Sequence, residues 1–145
     1  MNMSQLQEFL NKIYPLEEKS GIHFDHPKFE TFLQSVINGD VFDDLLPLDV
    51  KLSNGEDGIV VYLLTNARII RIRITQKGFE SSDIYLKEVT GINKELLSAE
   101  GEDKSVVRIE SPQGYFGLRY QPGKKLVEDF FSKVESKVRE SKKVS

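Results

Sequence analysis

None of the 145 residues is cysteine. That absence excludes disulfides, thiol catalysis and zinc-ribbon sites, and it permits a reducing compartment without requiring one. Histidine is scarce, with only His23 and His26. Positive charge is not in excess either, since 20 Lys and Arg stand against 23 Asp and Glu. A balance of that kind argues against general nucleic-acid binding, which calls for a strongly basic surface. No apolar run reaches the ~18 residues that span a bilayer. The densest, residues 59–74, is interrupted by "TNAR" and again by Arg71. The first twenty residues lack a basic region followed by a continuous apolar block, so they do not read as a secretory leader and the expected location is cytoplasmic. Gly-x-Ser-x-Gly, a phosphate loop and His-Glu-x-x-His are missing as well. The expectation is a non-catalytic protein without cofactor.

What is present is 30% charged and 39% apolar residues in a chain long enough for one domain. Such a domain buries roughly two-thirds of its unfolded surface and needs no metal or disulfide staple. Ser4 and Gln7 resemble a capping box, and Leu6, Phe9, Leu10 and Ile13 recur at helical spacing. This predicts a helix over residues 4–13, ending before Pro15. A second helix is expected to start at "DHPKFE", with Pro27 in its first turn and Glu30 near the positive end of its dipole. Its apolar stripe is Phe29, Phe32, Leu33, Val36 and Ile37, and Asn38-Gly39 supplies the stop.

Beyond Gly39 the period changes to two. Leu46, Leu48, Val50 and Leu52 alternate with Pro47, Asp49 and Lys51, a half-buried strand whose proline belongs at its start or on a sheet edge. "SNGEDG" then reads as a turn. "GIVVYLL" and "IIRIRI" are β-branched strands joined through "TNAR", where Asn66 tolerates a left-handed turn. Ile70, Ile72 and Ile74 share one face of the second strand and Arg71 and Arg73 the other, so the pattern predicts apolar in and basic out. Four more strands are expected near 82–86, 89–98, 105–110 and 114–120, punctuated by "EGED" and "SPQG". Near the C-terminus, Val127, Phe130, Phe131, Val134 and Val138 mark an amphipathic helix of about 17 residues, after which "ESKKVS" is expected to fray.

Seven antiparallel strands followed by one amphipathic helix is the element order of a pleckstrin-homology-like barrel. "VYLLTNARIIRI", then "SSDIYLKEVTGI", a "VRIESPQGYFGLRY" hairpin and "VEDFFSKV" together resemble the bacterial pleckstrin-homology-like (PH-like) domains over residues 45–138. The resemblance implies two nearly orthogonal sheets, an orthogonal sandwich or barrel capped by the C-terminal helix and serving as a non-catalytic scaffold. With it, residues 1–40 form an N-terminal helical extension and residues 41–140 the PH-like domain.

Candidate functional residues compete with plainer explanations. His23, Asp25 and His26 offer two imidazoles and a carboxylate for a metal or a general base, but the N-cap region of the second helix is the preferred account of the segment. Asp43 with Asp44, and Glu56 with Asp57, read as solvated turn carboxylates rather than acid/base pairs. Lys51, Arg71, Arg73 and Lys77 form the expected basic cluster for a phosphorylated headgroup or an anionic membrane surface. Cross-strand ion pairing explains those arginines as well, and Glu56 and Asp57 oppose an anion at the same end. The lysines of the last helix alternate with acids and read as a solvated face. The leading expectation is therefore a protein partner or a homo-oligomer, through open strand edges or a groove between strand and helix. Weak contact with anionic membranes is the alternative.

Overall fold

The computed structural model describes residues 3–51 and 57–143, apart from the side chains of residues 49–51, 57 and 99. Three helices and seven strands follow in the order α1 (Met3–Ser20), α2 (His26–Ile37), β1 (Phe42–Lys51), β2 (Asp57–Thr65), β3 (Arg68–Thr75), β4 (Gly78–Tyr85), a short 3-10 turn (Leu86–Glu88), β5 (Gly91–Ala99), β6 (Glu102–Ser111), β7 (Gly114–Tyr120) and α3 (Lys125–Lys143). The strands form two antiparallel sheets, ordered β1-β2-β3-β4 and β5-β6-β7. The chain divides into two compact units, residues 1–83 and 84–145.

In the first unit α1 does not stop at Pro15. The proline sits inside the helix on its exposed side, while Leu16 and Ser20 extend the buried stripe of Leu6, Phe9, Leu10 and Ile13. A proline there removes one backbone bond. Burial of a further apolar turn outweighs that loss, which is why a boundary drawn at the proline falls short. The second helix follows its predicted limits closely. Asp25 Oδ1 accepts the Lys28 N–H at 3.0 Å as N-cap, Pro27 lies in the first turn, and Asn38 closes the helix in the left-handed region at φ 43°.

Both helices cover one face of the first sheet. Phe9, Leu10, Ile13, Phe29, Leu33 and Ile37 form a continuous core with Ile59, Val61 and Leu63 of β2 and Ile70, Ile72 and Ile74 of β3. The apolar stripes of α1 and α2 are thus satisfied within the chain. An aromatic group seals the helix end of this core: Phe24, Phe29 and Phe32 each pack against Phe79, and Tyr14 stacks on His26.

The opposite face of that sheet departs from the apolar-in, basic-out pattern. Val60, Tyr62, Leu64 and Ile69 are buried there too, and Arg71 and Arg73 are only half-exposed. Alternation identified the isoleucine face correctly, but a basic residue at every second position of β3 did not show that Val60, Tyr62 and Leu64 of β2 share the other face and are buried. Pro47 lies within β1, which is an edge strand, so its missing N–H costs no ladder bond on the outer side. Asp43 and Asp44 belong to β1 rather than to a turn, at a register shift between Phe42 and Asp44. Asp57 and Gly58 open β2, while the rest of the expected "SNGEDG" turn, with Leu52, is outside the described residues.

Asn66 is not in the left-handed region. Its side chain instead accepts the Val41 N–H at 2.9 Å, and its own N–H bonds the Val41 carbonyl. Thr65 Oγ1 accepts the Ala67 and Arg68 N–H groups, building the β2–β3 turn from a hydroxyl instead of a positive φ.

In the second unit β5 and β6 are joined by Glu100 and Gly101, both with positive φ at 54° and 82°, the requirement of a two-residue hairpin turn that matches strand twist. Val107, Ile109 and Phe116 are buried on one face of the second sheet, and Val127, Phe130, Phe131, Val134 and Val138 are buried along α3. That helix packs on the 3-10 turn and continues through Lys143, held by a bond from Lys142 Nζ to the Val89 carbonyl. Fraying of residues 140–143 is therefore replaced by a tethered last turn.

Candidate functional site

The four expected basic residues are distributed over three settings. Arg71 stands opposite Tyr62 in the β2–β3 register and hydrogen-bonds it, and Arg73 stands opposite Val60 on the same face. Burial raises the Tyr62 pKa above its ordinary value, while the charges of Arg71 and Arg73 pull it back. Lys77 is exposed at the β3–β4 turn, its backbone N–H bonded to Thr75 Oγ1. Lys51 ends β1 opposite Asp57, three register positions beyond the Leu48–Val60 row that holds Arg73, or about 10 Å along the strand. Its side chain is outside the described residues, as are those of Glu56 and Asp57. The structure brings Arg71 and Arg73 together around a tyrosine, while Lys77 belongs to the turn after β3.

The His23–His26 segment is organised around a helix start. Asp25 is the N-cap, His23 is exposed, and His26 Nε2 lies 2.7 Å from Glu17 Oε1 with its ring stacked on Tyr14 at 4.1 Å. Among the described residues no group of three His, Asp or Glu side chains is placed to share a metal ion.

Two features go beyond what the sequence specified. The first is Arg68, which the sequence showed only as the last residue of the "TNAR" connection. Its Nε donates to Asp40 Oδ2 at 2.7 Å, Nη1 to Asp83 Oδ2 at 2.9 Å, and Nη2 to the Val36 and Ile37 carbonyls at 2.8 and 3.0 Å. Its side chain is 12% exposed. Burial works against the charge, but the bonds and charges of Asp40 and Asp83 outweigh it and drive the pKa further up. One guanidinium thereby closes the carbonyl end of α2 and clamps the lead-in to β1 against β4. Nothing within ±4 residues of Arg68 announces this, because its partners lie 15 to 32 positions away.

The second is a cleft of about 440 Å³ in the second unit, lined by Val89, Thr90, Gly91, Ile92 and Lys94 on one side and Glu135, Val138, Arg139 and Lys142 on the other. Val89 and Thr90 belong to the lead-in to β5, and Gly91, Ile92 and Lys94 are the strand residues that border the cleft, Ile92 and Lys94 from one face. Lys94 pairs with Glu135 across it at 2.5 Å, and Lys142 reaches Val89. Strand β5 is at the end of the sheet order, so every second residue directs its N–H and C=O groups away from β6. Leu96, 62% exposed, and Leu97 sit farther along the same strand. A groove between strand and helix was expected in general terms, but its place was not, because the interspersed acids of the last helix made its lysines look like an ordinary solvated face.

No family model, curated protein or solved structure matches the chain. No helix among the described residues is long and apolar enough to cross a membrane.

Proposed function

We propose that the protein is a non-catalytic binding module of PH-like architecture whose β5 edge and adjoining cleft engage a protein partner, either another protein or a second copy of the chain. The architectural part of this reading is supported by four-plus-three antiparallel strands followed by one amphipathic helix. The observation that carries the binding part is the nine-residue edge strand β5, which combines outward-directed backbone groups, exposed Leu96 and Leu97, and a cleft walled by α3. Strand addition draws affinity from backbone bonds and specificity from side-chain pockets beside the edge. The apolar stripes of α1 and α2 give no ground for self-association, since the first sheet covers them.

A photo-crosslinking residue placed at Leu97 in the full chain tests this in cells. A discrete adduct, to the chain itself or to another protein, is expected, and Ser98→Pro should remove it by spoiling the edge. Absence of any discrete adduct at positions 92–98 would sink the reading. Binding to anionic surfaces through Lys51, Arg71, Arg73 and Lys77 is the competing proposal. Lys77→Glu is its clean variant because that side chain is exposed, whereas reversing Arg71 or Arg73 changes half-buried groups. Binding to phosphatidylserine vesicles that falls with salt and with Lys77→Glu would favour that alternative.

A further inference from the structure

The cleft beside β5 carries a charge pattern that specifies more than a generic partner. Three cationic residues, Lys94, Arg139 and Lys142, line it against one carboxylate, Glu135, in a chain whose net charge is −3. Glu135 is committed to Lys94, and Lys142 gives one donor to the Val89 carbonyl. Arg139 is exposed on α3, and its planar fork of donors is suited to a carboxylate. Val138 and Ile92 supply apolar walls between these charges. A bare anion site would not need them, nor the start of an edge strand along one side.

Resting on the protein-binding reading, we infer that the cleft takes an extended acidic peptide segment of a protein partner. Its main chain adds to the outer edge of β5, one carboxylate pairs with Arg139 and Lys142, and an adjacent apolar side chain seats between Ile92 and Val138. The volume admits a few residues of chain and not a helix laid lengthwise. The Lys94–Glu135 bridge spans the cleft as a competitor, because Glu135 already supplies the type of group the partner brings. Removing that carboxylate should therefore help binding.

The test uses the full chain labelled with ¹⁵N. The probes are a pool of acetylated hexapeptides in which β-branched residues alternate with Asp or Glu, and a matched pool with Asn or Gln in the acidic positions. The acidic pool is expected to shift the amide signals of residues 89–97 and 135–142. The Asn/Gln pool should bind about tenfold more weakly. Arg139→Glu should erase the difference between the pools, and Glu135→Gln should tighten the acidic pool by roughly two- to fivefold. Equal binding of both pools at β5 would overturn the carboxylate inference and leave the protein-binding reading standing. Shifts confined to residues 59–77, or signals of the cleft that move with phosphatidylserine vesicles and with neither pool, would overturn both.

Discussion

Arg68 and Tyr62 show how differently two polar groups can be kept in a mostly apolar unit. Arg68 satisfies two carboxylates and two backbone carbonyls, so truncating it strands several groups at once. Arg68→Met should cost about 2–4 kcal/mol, read from the midpoint of urea unfolding at pH 7. Tyr62 carries a raised pKa because burial disfavours the phenolate, with Arg71 and Arg73 opposing. The folded state then holds the tyrosine proton more tightly than the unfolded chain. Its contribution is fully present below the ordinary value of 10.0 and is lost as pH rises from there through the raised folded value. Stability of the wild type should therefore fall above pH 10, and Tyr62→Phe should flatten that part of the profile. A titration of phenolate absorbance that shows all five tyrosines ionising together near 10 would contradict it.

Among the elements, those with strong local signals were legible and those set by distant partners were not. Helix α2 carries its start and stop in sequence, and both are used. Replacing the cap by Asp25→Ala should lower stability by about 1 kcal/mol, and Asp25→Asn should largely restore it in the same melting assay. Helix α1 was cut short because proline is a local signal, whereas the reason to continue, a place for Leu16 in the core, is a tertiary fact. Strand β4 was expected from Ser82 but starts at Gly78, since most of its early residues are exposed and leave no apolar alternation to read. The place and charge of the cleft were hidden for a related reason: Lys94 and Arg139 are 45 positions apart, and neither β5 nor α3 alone shows that both line it.

For the molecule as a whole, protection is uneven. Strands β2 and β3 are central in the first sheet and buried on both faces, whereas β5 is an edge with most of its side chains exposed. Hydrogen exchange should be slowest for residues 59–64 and 69–74 and much faster along residues 93–98. Equal protection of the two regions would contradict the idea that β5 remains available to a partner. The contrast also separates what periodicity conveys from what it does not. Alternation in β3 placed Ile70, Ile72 and Ile74 in the core, but it did not show that Arg71 shares its face with the buried Tyr62 and Leu64 of β2.

The Arg68 clasp also has a place in time. Its partners come from the end of α2, from Asp40 and from β4, so it closes only after the helix has docked and both β-hairpins flanking β3 have formed. Contacts that wait for so many segments are made late and are absent from the folding transition state. Arg68→Met should therefore leave the refolding rate almost unchanged and accelerate unfolding, with nearly all of its lost stability appearing in the unfolding limb of the chevron. The guanidinium acts as a latch on a finished structure: it governs how long the folded state lasts more than how quickly it is reached.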